Sequence, residues 1–414
     1  MKYGLIGEKL SHSFSKDIHA YLADYTYKLC EIDRSSLQNF FEKREFCAIN
    51  VTMPYKAEVI PFLDEISPSA KELNAVNVIV NRGGKLCGYN TDYDGLRDMI
   101  LRSKITVSGK KALILGTGGA ARTAHLVLKN LGASEIHLVS RSKIGGVISY
   151  VEAYANHLDA DIIVNATPVG MFPNTDASPV EIDRFTKISA VFDAIYNPLS
   201  TKLVLRARER GAYGEGGLYM LVSQAVRASE LFLDTKFDSD TTEKIYKKIL
   251  LTKQNIVLTG MPASGKTTIG AILSEKLGME LVDLDVEIEK RLGCTIAEFF
   301  QSHTEPEFRD IESDVTREIS KRNGIIISTG GGCILRHENV EALRSNGRLY
   351  FIDRSLESLV PTLSRPLASN KEDIERLFHA RYGIYVSTCD VKIDGNADPH
   401  TISEQIAKEF YTSV

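Results

Sequence analysis

Short apolar runs rich in β-branched residues alternate with amphipathic segments along almost the whole chain. Three of these runs lie at 111–116, 134–140 and 161–167, and two more lie at 255–260 and 324–329. Each run has the length of a buried strand, and the segments between them place apolar residues at helical spacing. The alternation predicts α/β domains built on parallel sheets.

One break in this pattern divides the chain. The sequence TTEKIYKKILL, which starts at Thr241, is typical of an amphipathic helix, and only a few polar residues separate it from the run at 255–260. We therefore predict two halves, 1–252 and 253–414. A junction this short leaves the two halves little freedom to move apart.

The composition is that of an ordinary globular protein and argues against some classes of partner. The 414 residues suffice for two or three domains, and 43% hydrophobic and 25% charged residues are ordinary for a globular protein. The formal net charge of −4 argues against binding to nucleic acid. The N-terminal MKYGLIG leads directly into a strand-like run, and no stretch approaches the roughly 18 apolar residues of a membrane span. Six cysteines without a CxxC pair are typical of reduced thiols, so we expect a cytoplasmic protein that binds no membrane.

A glycine-rich turn, GTGGAA at 116–121, follows one strand-like run and precedes a helical pattern. In this setting the GxGxxA spacing predicts a Rossmann-type dinucleotide site, because the glycines let the pyrophosphate approach the helix N-terminus. The next strand ends in Ser140-Arg141-Ser142 where an acidic residue would select NAD, and an arginine suits a 2′-phosphate, so NADP is favoured. The predicted cofactor contacts are Gly116, Thr117, Gly118, Gly119, Ala120, Ser140, Arg141 and Ser142.

Several polar motifs surround this turn in the first half. Taken singly, each suits a loop or a helix cap. Together and in this order they resemble shikimate dehydrogenase over residues 1 to about 250; they are HSFS at 12–15, NVTMPYK at 50–56, NAVN at 74–77, GYNTD at 88–92, NATPVGM at 165–171, DAIYNP at 193–198 and GLYMLVSQA at 217–225.

The resemblance implies a substrate domain at 1–104 and about 217–252, and an NADP-binding Rossmann domain at 105–216. It implies that Ala194 and Gly217 approach the nicotinamide, and that Lys56 and Asp92 are catalytic. The implied substrate contacts are Ser13, Ser15, Thr52, Lys56, Asn77, Asp92, Tyr196 and Gln224. The segment between Arg141 and the motif at 165–171 is shorter than is usual in that family, which predicts an abbreviated cofactor domain on the adenine side.

The chemistry of Lys56 and Asp92 fits this implication. Hydride delivery to a ketone creates an alkoxide, which needs a proton and nearby positive charge. A lysine beside an aspartate supplies both. Which of the two moves the proton stays open.

The second half contains a phosphate-binding loop. GMPASGKT at 260–267 follows a strand-like run and precedes a helical pattern, the context that a P-loop requires. The backbone amides cradle the phosphates of ATP or GTP, Lys266 reaches the β- and γ-phosphate oxygens, and the Thr267 hydroxyl holds Mg²⁺. The predicted nucleotide contacts are Gly260, Ala263, Ser264, Gly265, Lys266, Thr267 and Thr268.

The motifs downstream of this loop resemble those of shikimate kinase, over essentially all of 255–414. They are VDLDVEIE at 282–289, EFRDIE at 307–312, STGGGC at 328–333, RPL at 365–367 and RYGIY at 381–385. The resemblance implies a P-loop α/β domain like that of the nucleoside monophosphate kinases, with a parallel sheet, ATP as the donor and shikimate as the acceptor.

Residue roles follow from the same resemblance. Asp285 would orient or deprotonate the acceptor hydroxyl, and Asp283 would join Thr267 in the magnesium shell. A substrate carboxylate would be held by Arg309 and Arg381, a pairing for which guanidinium groups are suited. The substrate ring would meet the backbone of Gly331 and Gly332, and Arg365 in the lid would reach the transferred phosphoryl group.

Two departures concern closure over ATP. The segment 357–370 carries no arginine ahead of Arg365, and DGNADP at 394–399 lacks the arginine that often packs on adenine in relatives. We expect slow turnover or modest nucleotide affinity from them.

The sequence therefore favours a bifunctional enzyme that reduces 3-dehydroshikimate with NADPH and then phosphorylates shikimate with ATP. A quinate-type dehydrogenase joined to another small-acceptor kinase, such as a gluconate-like one, is the alternative among enzymes. A nucleotide sensor or scaffold with one inactive half is the alternative of another class. That alternative predicts lost catalytic residues, yet Lys56, Asp92, Lys266 and Asp285 are present.

Overall fold

The computed structural model describes residues 1–10, 14–142, 145–360 and 370–413. The chain forms two compact units, the first of Met1–Asn197 with Leu203–Ile249 and the second of Pro198–Lys202 with Leu250–Val414. Among the helices described, none combines the length and the hydrophobicity needed to cross a membrane.

The first sheet of the first unit is mixed. Its strand order is β2-β1-β3-β5-β6-β4, with β3–β5 and β5–β6 antiparallel and the other pairs parallel. The antiparallel pairs differ from the parallel sheets that the sequence pattern predicted. Gly83 and Gly84, at φ +63 and +96, form the two-residue turn that joins β5 to β6. The strands are β1 (Tyr3–Gly7), β2 (Tyr27–Glu31), β3 (Ala48–Val51), β4 (Glu65–Ile66), β5 (Val78–Arg82) and β6 (Lys85–Tyr89).

The second sheet of this unit is parallel throughout, in the order β12-β11-β10-β7-β8-β9. The chain reverses its winding direction at β7, where the glycine turn follows, as in doubly wound dinucleotide-binding folds. The strands are β7 (Lys111–Leu115), β8 (Glu135–Ser140), β9 (Ile148–Ser149), β10 (Ile162–Asn165), β11 (Ala190–Asp193) and β12 (Tyr213–Glu215). The short region after Arg141 thus still holds a strand, but one of only two residues.

Helices connect these strands and close the unit. They are α1 (Ser15–Leu22), α2 (Leu37–Lys43), α3 (Pro68–Leu73), α4 (Asp92–Arg102), α5 (Gly119–Asn130), α6 (Tyr150–Asn156), α7 (Lys202–Glu209), α8 (Leu218–Leu233) and α9 (Thr241–Lys253). Helices α4 and α8 pack very closely at Gly95, where a β-carbon would lie 2.5 Å from the carbonyl oxygen of Met220. This contact holds the start of α4 against α8.

The second unit has one parallel sheet in the order β14-β15-β13-β16-β17. Its central strand β13 feeds the phosphate-binding loop. The strands are β13 (Asn255–Thr259), β14 (Glu280–Asp283), β15 (Ile325–Ser328), β16 (Gly347–Asp353) and β17 (Val391–Asp394). The helices are α10 (Lys266–Leu277), α11 (Leu284–Leu292), α12 (Ile296–Phe299), α13 (Glu305–Ile319), α14 (His337–Asn346), α15 (Lys371–Thr388) and α16 (Pro399–Thr412).

His19 on α1 gives the first unit a predicted acid sensitivity. Its ring stacks on Tyr27 with centroids 3.9 Å apart, and its Nδ1 lies 2.6 Å from the hydroxyl of Tyr25. Burial lowers the pKa of His19 from 6.5 to about 3. Below pH 6.5, His19 is therefore protonated in the unfolded chain but stays neutral in the folded chain until the pH approaches 3. The free energy of unfolding falls over this range by up to about 1.4 kcal/mol per pH unit.

Replacing His19 by glutamine is expected to flatten this dependence. Urea unfolding followed by circular dichroism at several pH values between about 6.5 and 4.5 measures it, a window that lies between the two pKa values. His400, an exposed residue of the other unit, supplies the matched control H400Q, which should keep the wild-type dependence. An unchanged slope in H19Q would show that His19 already carries a proton in the folded state.

Candidate active sites

Lys56, Asn77 and Asp92 meet at one edge of the first sheet. Lys56 Nζ lies 2.6 Å from Asp92 Oδ2, and Asn77 Nδ2 donates to Asp92 Oδ1 at 2.9 Å. The topology brings them together, because β3 and β6 end at the same edge where the antiparallel β5 begins. Lys56 lies in the segment that follows β3, Asn77 immediately precedes β5, and Asp92 follows the end of β6.

The Asp92 carboxylate is held in an environment that suits its charge. Asp92 is the first residue of α4, where the helix dipole favours a negative group. Asn77 is fixed in turn, since its Oδ1 accepts the backbone N–H of Thr91 at 2.7 Å. The side chains of Lys56 and Asp92 remain 29% and 18% exposed, so a small molecule can reach the pair.

The other predicted substrate contacts of this unit have different neighbours. Ser15 is buried on α1, and the Tyr196 ring lies 5.2 Å from that of its neighbour Phe14. Thr52 packs against Gly7, and Gln224 on α8 packs against Gly95 of α4. In the described part of the chain, no hydrogen bond joins Thr52, Tyr196 or Gln224 to the cluster. Ser13 lies outside the described residues.

The glycine turn leaves an open, uncapped helix end. Gly116 takes φ +111, and a β-carbon there would lie 3.0 Å from the carbonyl oxygen of Ala166. Helix α5 starts at Gly119 with Gly118 as its N-cap, which offers no side-chain cap. Beyond the turn's own backbone, no atom of the described residues lies within 4 Å of a β-carbon built on Gly118 or Gly119. The free amides and open space suit an anion such as a pyrophosphate.

The residues predicted to read the ribose phosphate lie beside this turn. The N–H of Gly116 donates to Val139 O at 2.8 Å, which places the end of β8 next to the glycines. Ser140 ends β8, and Arg141 and Ser142 follow it as exposed residues. A guanidinium at this point fits a 2′-phosphate. Thr117 and Ala120 lie in the turn and in the first turn of α5.

Gly217 and Ala194 are in direct contact. A β-carbon on Gly217 would lie 2.4 Å from the carbonyl oxygen of Ala194, so only glycine fits. Asn165 and Asp193, which the sequence analysis did not assign, form a hydrogen-bonded pair next to this contact. Asn165 Nδ2 donates to the Asp193 carboxylate at 3.0 Å. These two residues end neighbouring strands in register, so their adjacency follows from pairing between β10 and β11.

In the second unit, the phosphate-binding loop has the expected backbone form. Gly265 at φ +88 precedes α10 without a side-chain cap, and Ala263 is also left-handed at φ +66. Lys266 Nζ donates to the carbonyl oxygens of Gly260 and Met261 at 2.9 and 3.0 Å, so the ammonium group lies against the phosphate-binding loop. Both the amides and the ammonium group are placed for phosphate oxygens.

Thr267 and Asp283 form a ligand pair that fits Mg²⁺. The Thr267 hydroxyl donates to Asp283 Oδ2 at 2.7 Å, and Asp283 Oδ1 accepts the N–H of Asp285 as the cap of α11. A hydroxyl and a carboxylate on the rim of a phosphate site are the few protein oxygens that a nucleotide-bound magnesium ion needs.

A cavity of about 590 Å³ joins this loop to the downstream motifs. The predicted residues that line it are Ala263, Gly265, Lys266, Thr267, Thr268, Asp283, Asp285, Arg309, Gly331, Gly332 and Arg381. Gly260 and Ser264 belong to the loop but do not line the cavity, and a β-carbon on Gly260 would lie 2.8 Å from Ser264 Oγ. Arg365 lies outside the described residues.

The acceptor side of the cavity contains two buried arginines. Arg309 Nη1 lies 2.7 Å from Glu312, while Arg381 Nη1 donates to the carbonyl oxygen of Gly331 at 3.0 Å. Burial, with repulsion from Arg309, lowers the pKa of Arg381. Burial also raises the pKa of Glu312, against the pull of Arg309. The sequence did not assign Glu312, although its place three residues after Arg309 on α13 puts it on the same helix face.

Asp285 faces this charged region. Its Oδ1 lies 2.6 Å from the position of a β-carbon on Gly330, so the glycine makes room for the carboxylate. The arrangement can hold an anionic, hydroxylated molecule between the arginines and the phosphate-binding loop, with a carboxylate ready to accept a proton.

Comparison with known proteins assigns both units to families. A model of the shikimate dehydrogenase substrate binding domain matches residues 5–79, and a model of shikimate kinase matches residues 262–413. The shikimate dehydrogenase (NADP(+)) of Clostridium beijerinckii is 37% identical over 259 residues, which are 59% of this chain and 96% of that protein.

Solved structures agree. Shikimate dehydrogenase 1 from Peptoclostridium difficile is 38% identical, with a TM-score of 0.56 over 60% of this chain and 98% of its own. Shikimate 5-dehydrogenase from Thermus thermophilus, solved with NADP(H) and shikimate, is 27% identical, with a TM-score of 0.55 over 60% and 99%. The chain therefore belongs to the shikimate dehydrogenase family and continues into a shikimate kinase domain, as a bifunctional enzyme of the shikimate pathway.

Proposed function

We propose that the first unit reduces 3-dehydroshikimate to shikimate and that the second phosphorylates the 3-hydroxyl of shikimate. The observation that carries the proposal is that each unit has polar residues suited to a carboxylated, hydroxylated ring. In the first they are Lys56, Asn77 and Asp92, joined by short hydrogen bonds. In the second, Arg309 and Arg381 share a cavity with a phosphate-binding loop. Binding of shikimate and NADP(H) by the Thermus relative supports it.

In the reductase, side chains of this unit supply the proton and stabilise the negative charge that forms on the substrate oxygen. NADPH supplies the hydride when it is bound. The carbonyl oxygen of the substrate then becomes an alkoxide, which Lys56 stabilises by its charge and which takes a proton from the Lys56–Asp92 pair. Asn77 keeps Asp92 oriented towards the lysine.

The cofactor contacts of this unit are also part of the proposal. The uncapped start of α5 receives the pyrophosphate, and Arg141 meets the ribose 2′-phosphate. Gly217 lets the chain approach the nicotinamide beside Ala194. The position of Arg141 directly after β8, a strand that does not end in an acidic residue, supports NADP over NAD.

In the kinase, the residues act mainly by positioning the substrate and by stabilising negative charge on the phosphates. Arg309 and Arg381 hold the substrate carboxylate, which orients the acceptor hydroxyl towards Asp285. Asp285 accepts the hydroxyl proton as the oxygen attacks the γ-phosphorus of ATP, and ADP leaves. Lys266 neutralises charge on the phosphates, and Thr267 with Asp283 would hold Mg²⁺, which screens the same charge.

The test is an omission experiment on the full chain. Purified protein is incubated with 3-dehydroshikimate, NADPH and Mg-ATP, each left out in turn, while NADPH oxidation and phosphorylated product are followed. We expect NADPH oxidation without ATP, and shikimate 3-phosphate only with ATP. Phosphorylation of added shikimate with no NADPH oxidation would remove the reductase from the proposal. Steady-state comparison of shikimate with quinate and gluconate separates the alternative enzymes.

A further inference from the structure

Arg354 lies in the kinase cavity without a role in the proposed chemistry. It follows β16 directly, and β16 pairs in parallel with β13, the strand that feeds the phosphate-binding loop. The carboxyl ends of both strands therefore lie at the same edge of the sheet, and Arg354 lines the cavity together with Gly265 and Lys266.

The guanidinium of Arg354 points at the phosphate-binding backbone. Its Nη1 lies 3.9 Å from the position of a β-carbon on Gly265. Gly265 is the uncapped residue at the start of α10, where backbone amides and the helix dipole favour an anion. Arg354 thus brings its positive charge to the place where the loop would hold phosphate oxygens.

Arg354 has no counter-ion in the described part of the chain. Its Nε is buried and has no hydrogen-bond partner among those residues. The nearest carboxylate in sequence, that of Asp353, is engaged by Lys392 at 2.7 Å and by the hydroxyl of Tyr382 at 3.2 Å. A partly buried guanidinium without a partner is costly, and an incoming anion relieves that cost.

The other cations of the cavity are committed differently. Arg309 pairs with Glu305 and Glu312. Arg381 donates to the carbonyl oxygen of Gly331, and Lys266 donates to carbonyl groups of its own loop. After Arg354, the sequence carries no further arginine before Arg365. Arg354 is therefore the cation best placed to add to the loop from the β16 side.

We infer that Arg354 binds a phosphate group of the nucleotide in the kinase unit. It donates N–H groups to phosphate oxygens held at the start of α10, a geometry for which the planar fork of arginine is suited. The inference rests on the proposed kinase function and names an additional residue of that site.

The experiment compares R354Q and R354K with the wild-type full-length protein. Affinities for ADP, inorganic triphosphate and adenosine are measured by calorimetry, and the KM for ATP is measured with shikimate as acceptor. A charge-assisted hydrogen bond predicts that R354Q weakens ADP and triphosphate binding by about 10- to 100-fold. R354K should keep part of this affinity, and adenosine binding should not change.

The control is R376Q, because Arg376 is exposed on α15 of the same unit and pairs with Asp373 one helical turn away. It should bind all three ligands like the wild type. Melting curves and NADPH oxidation establish that each variant is folded. A second readout is the slope of log Kd for ADP against log salt concentration. This slope should be smaller in R354Q than in the wild type, because one charged contact to phosphate is lost.

Two results would overturn the inference while the kinase proposal stands. One is R354Q binding ADP and triphosphate as tightly as the wild type does. The other is a loss confined to adenosine, which would assign Arg354 to the base. Absence of kinase activity in the wild-type protein, by contrast, would contradict the proposed function itself.

Discussion

Replacing Lys56 by alanine is expected to slow the reduction of 3-dehydroshikimate at saturating substrate by about 10²- to 10⁴-fold, the range typical when a member of a proton-transfer pair is removed. The ammonium group lies 2.6 Å from Asp92 and is partly exposed, so it is the cation that a substrate oxygen can reach in this cluster. Phosphorylation of shikimate by the same molecule should be unchanged. Separate assays of the two activities on one preparation measure both.

Lys85 gives the matched control for this substitution. It is a surface lysine of the same sheet that pairs with Glu65, so K85A should keep both activities. D92N should also lose reduction, and comparing the pH profiles of D92N and K56A shows which group moves the proton. Loss of both activities in K56A, with the melting curve preserved, would contradict two independent sites.

The fold was largely predictable because buried parallel strands appear in the sequence as short runs of apolar, β-branched residues. The runs at 111–116 and 255–260 became β7 and β13 almost residue for residue. The two-residue strand β9 could not be predicted, since it is defined only by pairing with β8. The antiparallel β5–β6 hairpin had a local sign in its Gly83-Gly84 turn, which the alternation of apolar runs obscured.

The site residues to which the sequence motifs give a role could be predicted from the sequence. Lys56, Asn77 and Asp92 lie in separate motifs, and the structure joins them by hydrogen bonds. Glu312 and Arg354 escaped prediction for different reasons. Glu312 follows Arg309 by one helical turn and could have been found by its spacing, whereas Arg354 gains its place only when β16 pairs with β13.

The second large effect is expected from replacing Asp285 by asparagine. The carboxylate faces the cavity beside Gly330, and the amide of asparagine has nearly the same shape but cannot accept a proton. The turnover rate for phosphorylation of shikimate should fall by about 10²- to 10⁴-fold, as expected when a general base is removed. The cap of α11 belongs to Asp283, so the helix should be preserved.

ATP affinity and reduction provide the internal controls for D285N. In the proposed site the nucleotide is held by Lys266 and Thr267 and not by Asp285, so the Kd for ADP should stay near the wild-type value. NADPH oxidation should be unaffected. E287Q tests the same helix two residues away, at a surface ion pair with Lys290, and should keep full activity. If D285N kept its turnover rate but raised the KM for shikimate, Asp285 would only position the hydroxyl, because a loss of binding without a loss of rate marks an interaction made equally in the ground and transition states.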